Sequence, residues 1–319
     1  MGARPPLPSW NDEGASTSIL RFVRSVTTPS SSSYIHPEDR VAVFDSDGTL
    51  WCERPAPALA FFAMHELREV DLSHGGLDHV DPQLVRAAHT RDPDVFQDLD
   101  PRSLSELLLH LERACTPEQI VARAHRFLRT ELHPRFRVRF AQLAYRPMLE
   151  LLRLLEAKQF RTFVVTGGSV EFLRAACEGL YGVPRERVVG PVFNYVYAPR
   201  ESQFFVTRAQ TLLENGGEAE GKVRVLMQHI GRRPVMAVGN SDADRHMLEY
   251  TQSGCHASLC LLVQHDDPVR EYAYGSDDQL VATSVGRGWP IISMRRDFRR
   301  IFSERLQSRS SPYAVPVNT

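Results

Sequence analysis

The fold is decided by an apolar run that ends in two carboxylates, VAVFDSDGTL at residues 41–50. Its first four residues are all apolar, which predicts a strand buried on both faces of a parallel sheet. Ligand sites in such sheets lie beyond the carboxyl ends of the strands, where Asp45 and Asp47 stand. Gly48 lets the backbone turn away at once, so the two side chains are expected to converge on one small volume.

Two carboxylates in one volume need a cation. Their repulsion is about 4 kcal/mol at a separation of 4 Å and an effective dielectric of 20, so ionising both Asp45 and Asp47 requires a compensating charge. Oxygen donors favour a hard ion such as Mg2+. One carboxylate could then attack a phosphorus atom while the other moves protons. Alternatively, the pair and Gly48 form an ordinary solvated turn.

A second buried strand is predicted at residues 161–165, followed by the small residues TGGS at 166–169 and a helical pattern. Backbone N–H groups at such a helix start can hold an oxyanion, with the Thr166 hydroxyl as a further donor. Alternatively, Ser169 is an ordinary N-cap and the glycines permit close packing. Glu171 stands where the nucleophile elbow G-x-S-x-G needs glycine, which disfavours a serine hydrolase.

Lysine is rare in this chain. Of 38 basic residues only Lys158 and Lys222 are lysines, and a planar guanidinium is a poor substitute for a compact ammonium, so Lys222 is a candidate phosphate ligand. Residues 216–222 also fit G-x-x-x-x-G-K, but Val223 replaces the hydroxyl residue that would hold magnesium. This departure, and the lack of a buried strand before the loop, disfavour a nucleoside triphosphatase. A single surviving surface lysine is the alternative.

A further buried strand is predicted at residues 234–238, and it runs into GNSDAD at 239–244 before another helical pattern. Alone, this pattern is typical of an N-capped helix with acids near the positive end of its dipole. Together with Asp45, Thr166 and Lys222 it makes four polar clusters at strand ends or helix starts. Four such clusters in one chain indicate a composite site.

The order of these motifs resembles the haloacid dehalogenase superfamily of phosphohydrolases. D-x-D-G-T comes first, a strand-ending Thr second, a Lys third and an acidic loop last. The flanking segments at residues 7–12, 50–53 and 270–274 are similar to a phosphoserine-phosphatase-like branch, which extends the resemblance over nearly the whole chain. The resemblance implies a Rossmann-like three-layer α/β/α core with a mainly parallel sheet and an inserted all-helical cap domain.

The resemblance also implies roles for single residues. Asp45 would be the nucleophile that becomes an aspartyl phosphate, and Asp47 would protonate the leaving oxygen and later activate water. Thr166 and the Gly167 amide would bind the phosphoryl oxygens, while Lys222 would bridge the phosphate and the nucleophile. Asp45, the Asp47 carbonyl and the acidic loop would hold Mg2+.

One position departs from the family pattern. Asn240 stands in the place of the first loop aspartate, so the direct metal ligand is either its amide oxygen or a carboxylate of Asp242 or Asp244. The expected metal-binding set is Asp45, Asp47, Asn240 and Asp244. Glu53 could bind an amine of the substrate, as acids near this position do in phosphoserine phosphatases, or be a solvent-exposed loop residue.

Asp47 indicates the reaction type within the resemblance. Dehalogenases of this superfamily lack an acid there because halide leaves without a proton, whereas an alkoxide needs one. We therefore expect Mg2+-dependent hydrolysis of a small phosphorylated metabolite through a covalent intermediate. Two alternatives stay open, namely a phosphotransferase that uses an alcohol as acceptor and a catalytically silent interaction module, which the departure at Asn240 motivates.

The pattern along the chain predicts a core interrupted by an insert. Residues 1–52 and 146–319 are assigned to the α/β core, with 1–33 as an N-terminal arm, and the helical patterns of residues 53–145 are assigned to the cap. In the resembling family such a cap closes over the site and selects the substrate. The same amphipathic helices could instead form the surface of a homodimer.

The chain after the acidic loop is expected to complete the core. Further strands are predicted at residues 258–263 and 289–293. The basic segment at 295–309 is predicted to be a helix with a solvated face. The strand exit HDD at 265–267 is interpreted as a polar turn rather than a second metal site.

Composition excludes several classes of partner. The 319 residues, 42% of them hydrophobic, can bury one large core and a smaller unit. The formal charge of −1 gives no field for steering onto nucleic acid or an anionic membrane. No apolar stretch is long enough for a membrane span or a secretory segment, so a cytoplasmic protein is expected.

The cysteines suit a reducing environment. There are five, an odd number without a C-x-x-C pair, which indicates reduced thiols rather than a disulfide framework. Cys255, His256 and Cys260 supply three soft ligands with no fourth nearby, which disfavours a zinc site.

Overall fold

A computed structural model gives the fold and describes residues 6–69, 80–92, 95, 99, 101–200, 203–214, 220–275 and 277–303. Its strands are β1 (Val41–Asp45), β2 (Arg161–Val165), β3 (Val188–Val189), β4 (Val192–Arg200), β5 (Gln203–Glu214), β6 (Met236–Gly239), β7 (Leu259–Asp266), β8 (Ala273–Tyr274) and β9 (Ile291–Ser293). Seven of them form one sheet in the order β3-β2-β1-β6-β7-β8, with β9 also paired to β7. Within it, only the β7–β8 pair is antiparallel.

Helices flank this sheet and fill the chain between β1 and β2. They are α1 (Ala15–Thr27), α2 (Ala58–Glu69), α3 (Pro82–Thr90), α4 (Pro101–Leu111), α5 (Pro117–Thr130), α6 (Arg146–Ala157), α7 (Val170–Tyr181), α8 (Glu220–Ile230), α9 (Arg245–Gln252), α10 (Asp278–Arg287) and α11 (Met294–Asp297). The predicted α/β class with a mainly parallel sheet is confirmed. No helix in the described part of the chain has the length and apolar character that a membrane crossing requires.

Strand β1 lies at the centre of the sheet, parallel to β2 on one side and to β6 on the other. All five of its residues are buried. Phe44 packs into one apolar cluster and Val43 into a second, separate one. Because neighbouring residues of a strand point to opposite faces, these clusters are the two helix–sheet layers of a three-layer core.

A β-hairpin that the sequence did not predict follows β3. Strands β4 and β5 pair only with each other among the described residues, in a separate antiparallel sheet. Its apolar side chains Tyr197 and Phe204 stack on each other and are about two-thirds exposed, 67% and 68%. Since these residues do not turn toward the core, the hairpin lacks the alternating buried pattern by which strands are recognised.

The hairpin joins the helical insert to the core through one buried arginine. Arg208 on β5 forms ion pairs with Glu112 and Glu171, and all three side chains are buried. Its backbone also bonds to that of Ala114 and Cys115, at 3.2 and 2.9 Å. The division of the chain at residues 53 and 145, and a homodimer through the insert, stay predictions.

The predicted helix at residues 295–309 is confirmed as far as Asp297 and is wrong from Phe298 to the end of the described residues. Helix α11 ends at Asp297, and Phe298 takes an extended backbone that bridges to Trp10. Ile301 and Phe302 are buried. These apolar contacts hold the segment on the core in place of a solvated helical face, and residues 304–309 lie outside the described residues.

The N-terminal segment is packed against the core by Trp10. Its indole is 1% exposed, and its Nε1 donates a hydrogen bond of 2.9 Å to the Pro147 carbonyl. The ring meets Phe298 edge-on at a centroid distance of 4.9 Å. One side chain therefore joins both ends of the described chain to the start of α6.

Trp10→Ala should lower the free energy of unfolding by about 3–5 kcal/mol, because it leaves a large cavity and an unpaired Pro147 carbonyl. Urea denaturation followed by circular dichroism measures the change. Tyr34→Ala, at a side chain that is 37% exposed, is the matched control and should cost less than about 1 kcal/mol. Equal costs for the two variants would contradict the anchoring role of Trp10.

Candidate active site

The end of strand β1 presents Asp45 at the carboxyl edge of the sheet. Asp45 pairs with Val165 of β2, so Thr166 follows at the neighbouring strand end. Gly48 then reverses the chain with a φ of +73°, and a Cβ there would collide with the side chains of Asn240 and Glu53. Glycine is needed at this turn both for its conformation and for the close approach of the acidic loop.

Lys222 reaches this strand end from helix α8. Its Nζ lies 2.6 Å from Asp45 Oδ1 and 2.6 Å from Asp244 Oδ1, and the side chain is buried. Burial alone would lower the pKa of Lys222, but the Asp244 and Asp45 carboxylates raise it above its usual value. Lys222 is therefore a buried ammonium that bridges two carboxylates.

Asp244 is held by donors from its own loop. It is fully buried, and its Oδ2 accepts hydrogen bonds from the backbone N–H groups of Asn240 and Ser241, at 3.0 and 3.1 Å, and from the Ser241 hydroxyl at 3.2 Å. Its other oxygen faces Lys222. Both Asp244 oxygens are thus engaged within the protein. Asp242, by contrast, is about half exposed and pairs with Arg245.

Asn240 is oriented by a carboxylate. Its Nδ2 donates to Glu53 Oε1 at 2.9 Å, and its Oδ1 accepts from the Thr49 hydroxyl at 3.2 Å. Tyr274 also donates to Glu53 Oε1, at 2.6 Å. Because a carboxylate can only accept from the amide NH2 group, Glu53 determines which way the Asn240 oxygen points. An aspartate at position 240 would instead repel Glu53.

Residues 166–169, which the sequence predicts to bind an anion, lie at the start of helix α7. Ser169 is its N-cap and accepts from the Phe172 N–H at 3.4 Å. The Thr166 side chain is buried, and its Oγ1 accepts from the Gly168 N–H at 3.0 Å. A Cβ at Gly168 would collide with Leu59 of helix α2, so this glycine lets the helical insert approach the turn.

The site carries more negative than positive charge. Burial and then the Asp244 carboxylate raise the pKa of Asp45 well above its usual range, although Lys222 opposes the shift. Burial and then the Glu53 carboxylate raise the pKa of Asp47 to about 7. A further cation at this point would stabilise the ionised forms of both Asp45 and Asp47.

The oxygen donors fit a hard divalent ion. Asp45, the Asp47 carbonyl and the Asn240 amide oxygen stand at adjoining chain turns, while both Asp244 oxygens are already engaged. Among the residues that the structure describes, no three His, Cys, Asp or Glu side chains are grouped to hold a metal. An ion here would therefore depend on one carboxylate and neutral oxygens, a set that suits Mg2+ and not zinc.

A cavity of about 410 Å³, lined by both polar and apolar side chains, adjoins the site. Its lining includes Glu53, Arg54, Asn240, Asp242, Tyr274 and Asp277. Residues from the loop after β1, from the acidic loop and from the chain around β8 meet in its wall. The cavity has the size and the polar groups to take the non-phosphate part of a small ligand.

Other candidates from the sequence do not join this site. Cys255 and His256 are exposed whereas Cys260 is buried and bonds to the Leu248 carbonyl. Asp266 contacts Ser293 and Asp267 caps the turn before Arg270. The polar turn interpretation of residues 265–267 therefore holds for the two aspartates, whereas His265 faces the opposite way, toward Gly48.

Sequence reasoning left three residues of the site without a role. They are Thr49, Ser241 and Tyr274, which bond to Asn240, Asp244 and Glu53 respectively. Thr49 and Ser241 lie inside the quoted motifs, so their proximity could have been inferred. Tyr274 comes from the short strand β8, and no local pattern predicts which loop it meets.

A comparison with protein families identifies the class to which the chain belongs. The profile of the haloacid dehalogenase-like hydrolase family matches residues 42–249, and the chain belongs to this family. Members of the family generally use Mg2+. No curated protein matches the chain.

Solved structures resemble the chain at low identity. A conserved functionally unknown protein from Anaerococcus prevotii DSM 20548 has a TM-score of 0.54 at 15% identity, covering 86% of this chain and 90% of that one. A phosphoserine phosphohydrolase-like protein from Francisella tularensis subsp. tularensis SCHU S4 has a TM-score of 0.39 at 16% identity, covering 71% and 88%. Cytosolic 5'-nucleotidase IIIB bound to cytidine has a TM-score of 0.44 at 12% identity, covering 89% and 88%. The first likeness supports the fold alone, and the narrower phosphoserine-phosphatase-like branch stays a prediction.

Asp47→Asn should stabilise the metal-free protein at high pH. The pKa of Asp47 is about 7 in the folded protein, above its ordinary value of 3.8, so ionisation weakens the folded state as pH rises from about 4 to above 7. Removing the carboxylate should raise the unfolding temperature in EDTA more at about pH 8 than at about pH 5. Asp12→Asn, at an exposed side chain, is the control, and equal gains at both pH values would contradict the raised pKa.

Proposed function

We propose that the protein is a Mg2+-dependent phosphomonoester hydrolase that works through an aspartyl phosphate on Asp45. The observation that carries the proposal is the buried ammonium of Lys222 between Asp45 and Asp244, at 2.6 Å from each. A strand-end carboxylate paired with a fixed cation is suited to nucleophilic attack on phosphorus, because the cation offsets the charge that builds up on the reacting oxygens.

In the proposed first step, Asp45 attacks the phosphorus atom and the bond to the leaving oxygen breaks. Lys222 neutralises the charge shared by nucleophile and phosphoryl group. The Thr166 hydroxyl and the Gly167 amide, at the start of α7, hold the phosphoryl oxygens with the positive end of the helix dipole. Positioning and charge neutralisation supply most of the acceleration in this type of transfer.

Asp47 serves as the acid and later as the base. A pKa of about 7 means that a substantial fraction of Asp47 holds a proton near neutral pH, which it can give to the leaving alkoxide. The resulting carboxylate then takes a proton from the water that attacks the aspartyl phosphate. Hydrolysis of this intermediate returns Asp45 and releases phosphate.

The proposed metal donors are Asp45, the Asp47 carbonyl and the Asn240 amide oxygen, with Asp244 retained for Lys222. Bound there, Mg2+ would neutralise phosphoryl charge. Asn240 brings no charge of its own, and its Nδ2 group faces Glu53 while its oxygen, which accepts from Thr49, is the atom proposed to contact the ion. The arrangement favours weak metal binding relative to an all-aspartate loop.

The proposed substrate is a small phosphorylated metabolite. The adjoining cavity of about 410 Å³ would hold its leaving group among the polar side chains of Glu53, Arg54 and Tyr274. A cavity of this size and composition suits a compact polar leaving group and not a macromolecule.

A panel of phosphomonoesters assayed with Mg2+ tests the proposal. Wild type should release phosphate from at least one ester, and Asp45→Asn should lose this activity while it keeps its circular dichroism spectrum, because an amide cannot form the acyl phosphate. Asp39→Asn, at an exposed carboxylate, is the matched control. Retained turnover in Asp45→Asn would exclude the covalent route, and phosphoenzyme that discharges only to an added alcohol would identify a phosphotransferase.

Lys222→Arg should reduce kcat/KM by at least about 10-fold although the charge is kept, because a guanidinium is too large to sit 2.6 Å from both carboxylates. Lys158→Arg is the control, since Lys158 is exposed at the end of α6, and it should leave the kinetics unchanged. Steady-state assays with p-nitrophenyl phosphate measure both variants. Equal effects would show that the rarity of lysine has no functional meaning.

A further inference from the structure

A buried histidine contacts the loop that carries Asp47. His265 on strand β7 places Nε2 2.7 Å from the carbonyl oxygen of Gly48 and Nδ1 3.3 Å from Glu271 Oε2. The side chains of His265 and Glu271 are buried, at 1% and 0% exposure. These contacts connect strand β7 to the turn that directly follows Asp47.

Glu271 has the surroundings of an ionised carboxylate. Its Oε1 accepts from the Cys52 thiol at 3.1 Å and from the Tyr145 hydroxyl at 3.0 Å, and its Oε2 accepts from the Tyr272 N–H. Burial raises the pKa of Glu271, but hydrogen bonding by His265 and the other donors outweighs burial and lowers it. Because both oxygens of Glu271 already accept hydrogen bonds, this carboxylate acts toward His265 as an acceptor and not as a donor.

Both ring nitrogens of His265 therefore face acceptors. The Gly48 carbonyl cannot donate, so Nε2 must carry a proton, and the ionised Glu271 requires a proton on Nδ1 as well. A ring that donates from both nitrogens is an imidazolium. Its positive charge is paired with Glu271 and directed through Nε2 at a single peptide group.

The residue that carries this carbonyl, Gly48, directly follows Asp47 and is held on both sides. The Gly48 N–H donates to the Trp51 carbonyl at 2.8 Å while the Gly48 carbonyl accepts from His265. Hydrogen bonds at both its N–H and its carbonyl restrain the turn at Gly48, a residue that has no Cβ to limit its backbone and adopts a φ of +73°. Asp47 directly precedes this glycine, so the backbone conformation held at Gly48 also determines the orientation of Asp47.

We propose that His265, held by Glu271, is a positioning residue that sets the direction of Asp47 toward the leaving group. This inference rests on the proposed phosphatase function, and it adds a residue pair that lies outside the four family motifs. The ring of His265 also stacks on Tyr274 at a centroid distance of 4.2 Å, and the Tyr274 hydroxyl bonds to Glu53. His265 thereby supports both the acid loop and the wall of the adjoining cavity.

A misplaced Asp47 should change the hydrolysis rates of two esters unequally, which a general loss of structure would not do. p-Nitrophenolate is a weak base that leaves with little help from a proton, whereas phenolate is a stronger base and depends on Asp47. Loss of the His265–Gly48 bond should therefore slow phenyl phosphate hydrolysis more than p-nitrophenyl phosphate hydrolysis. Phosphoryl binding by Lys222 and Thr166 does not change, so KM should stay near the wild-type value.

The kinetic test compares His265→Ala, His265→Gln and wild type on both esters with saturating Mg2+. His265→Ala should lower kcat on phenyl phosphate about 10-fold more than on p-nitrophenyl phosphate. His265→Gln keeps a donor for the Gly48 carbonyl and should recover most of the difference, and His256→Ala, at an exposed position, should match wild type. Equal losses on the two esters would overturn the positioning role and leave the phosphatase proposal standing, whereas wild type inactive on every ester would overturn both.

A spectroscopic test needs no turnover. In 15N-resolved NMR spectra at neutral pH, both ring nitrogens of His265 should have the shifts of protonated nitrogens, assigned by loss of the signals in His265→Gln. Glu271→Gln keeps the shape of the acceptor but removes its charge, and it should return one His265 nitrogen to the unprotonated shift. A singly protonated His265 in wild type would overturn the charged pair that the proposal requires.

Discussion

The structure around the site depends on one buried ion cluster, the ammonium of Lys222 between the carboxylates of Asp45 and Asp244. Three charged groups can be buried together only where each is paired, since an unpaired buried charge costs several kcal/mol. Asp244 in turn needs the N–H groups of the acidic loop. These contacts therefore hold the ends of β1 and β6 and the start of α8 close together.

The placement of negative charge around this cluster limits the repulsion between carboxylates. Asn240 replaces a family carboxylate, and Glu53 supplies one 2.9 Å away. The Asn240 amide donates to Glu53, whereas a second carboxylate at position 240 would repel it, so Asn240 and Glu53 are compatible neighbours. The raised pKa of Asp47 is a product of the same crowding. The same charge that weakens the folded protein thus leaves Asp47 partly protonated near neutral pH, as its proposed role as an acid requires.

The core was predictable where burial leaves a simple pattern. Strands β1, β6 and the first part of β7 are buried on both faces and are continuous apolar runs, and the parallel arrangement brings their polar ends together. Asp45 could therefore be selected from the strand pattern, whereas Lys222 was selected by the rarity of lysine. The two-residue strands β3 and β8 are too short to leave a pattern. The contact of His265 with Gly48 joins residues far apart in the chain, and its geometry depends on how β7 is placed in the finished sheet.

The buried Arg208 has a consequence for access to the site. Glu112 belongs to the helical insert and Glu171 to helix α7 of the core, and Arg208 of the hairpin is paired with both. Swinging the insert away as a rigid lid would separate one carboxylate from this arginine and leave charges stranded in an apolar interior, at a cost of about 3–5 kcal/mol. Ligands are therefore expected to enter and leave by the cavity beside Glu53 and Tyr274, through small movements of the residues at its rim. The insert, the hairpin and the core are expected to remain in contact through Arg208.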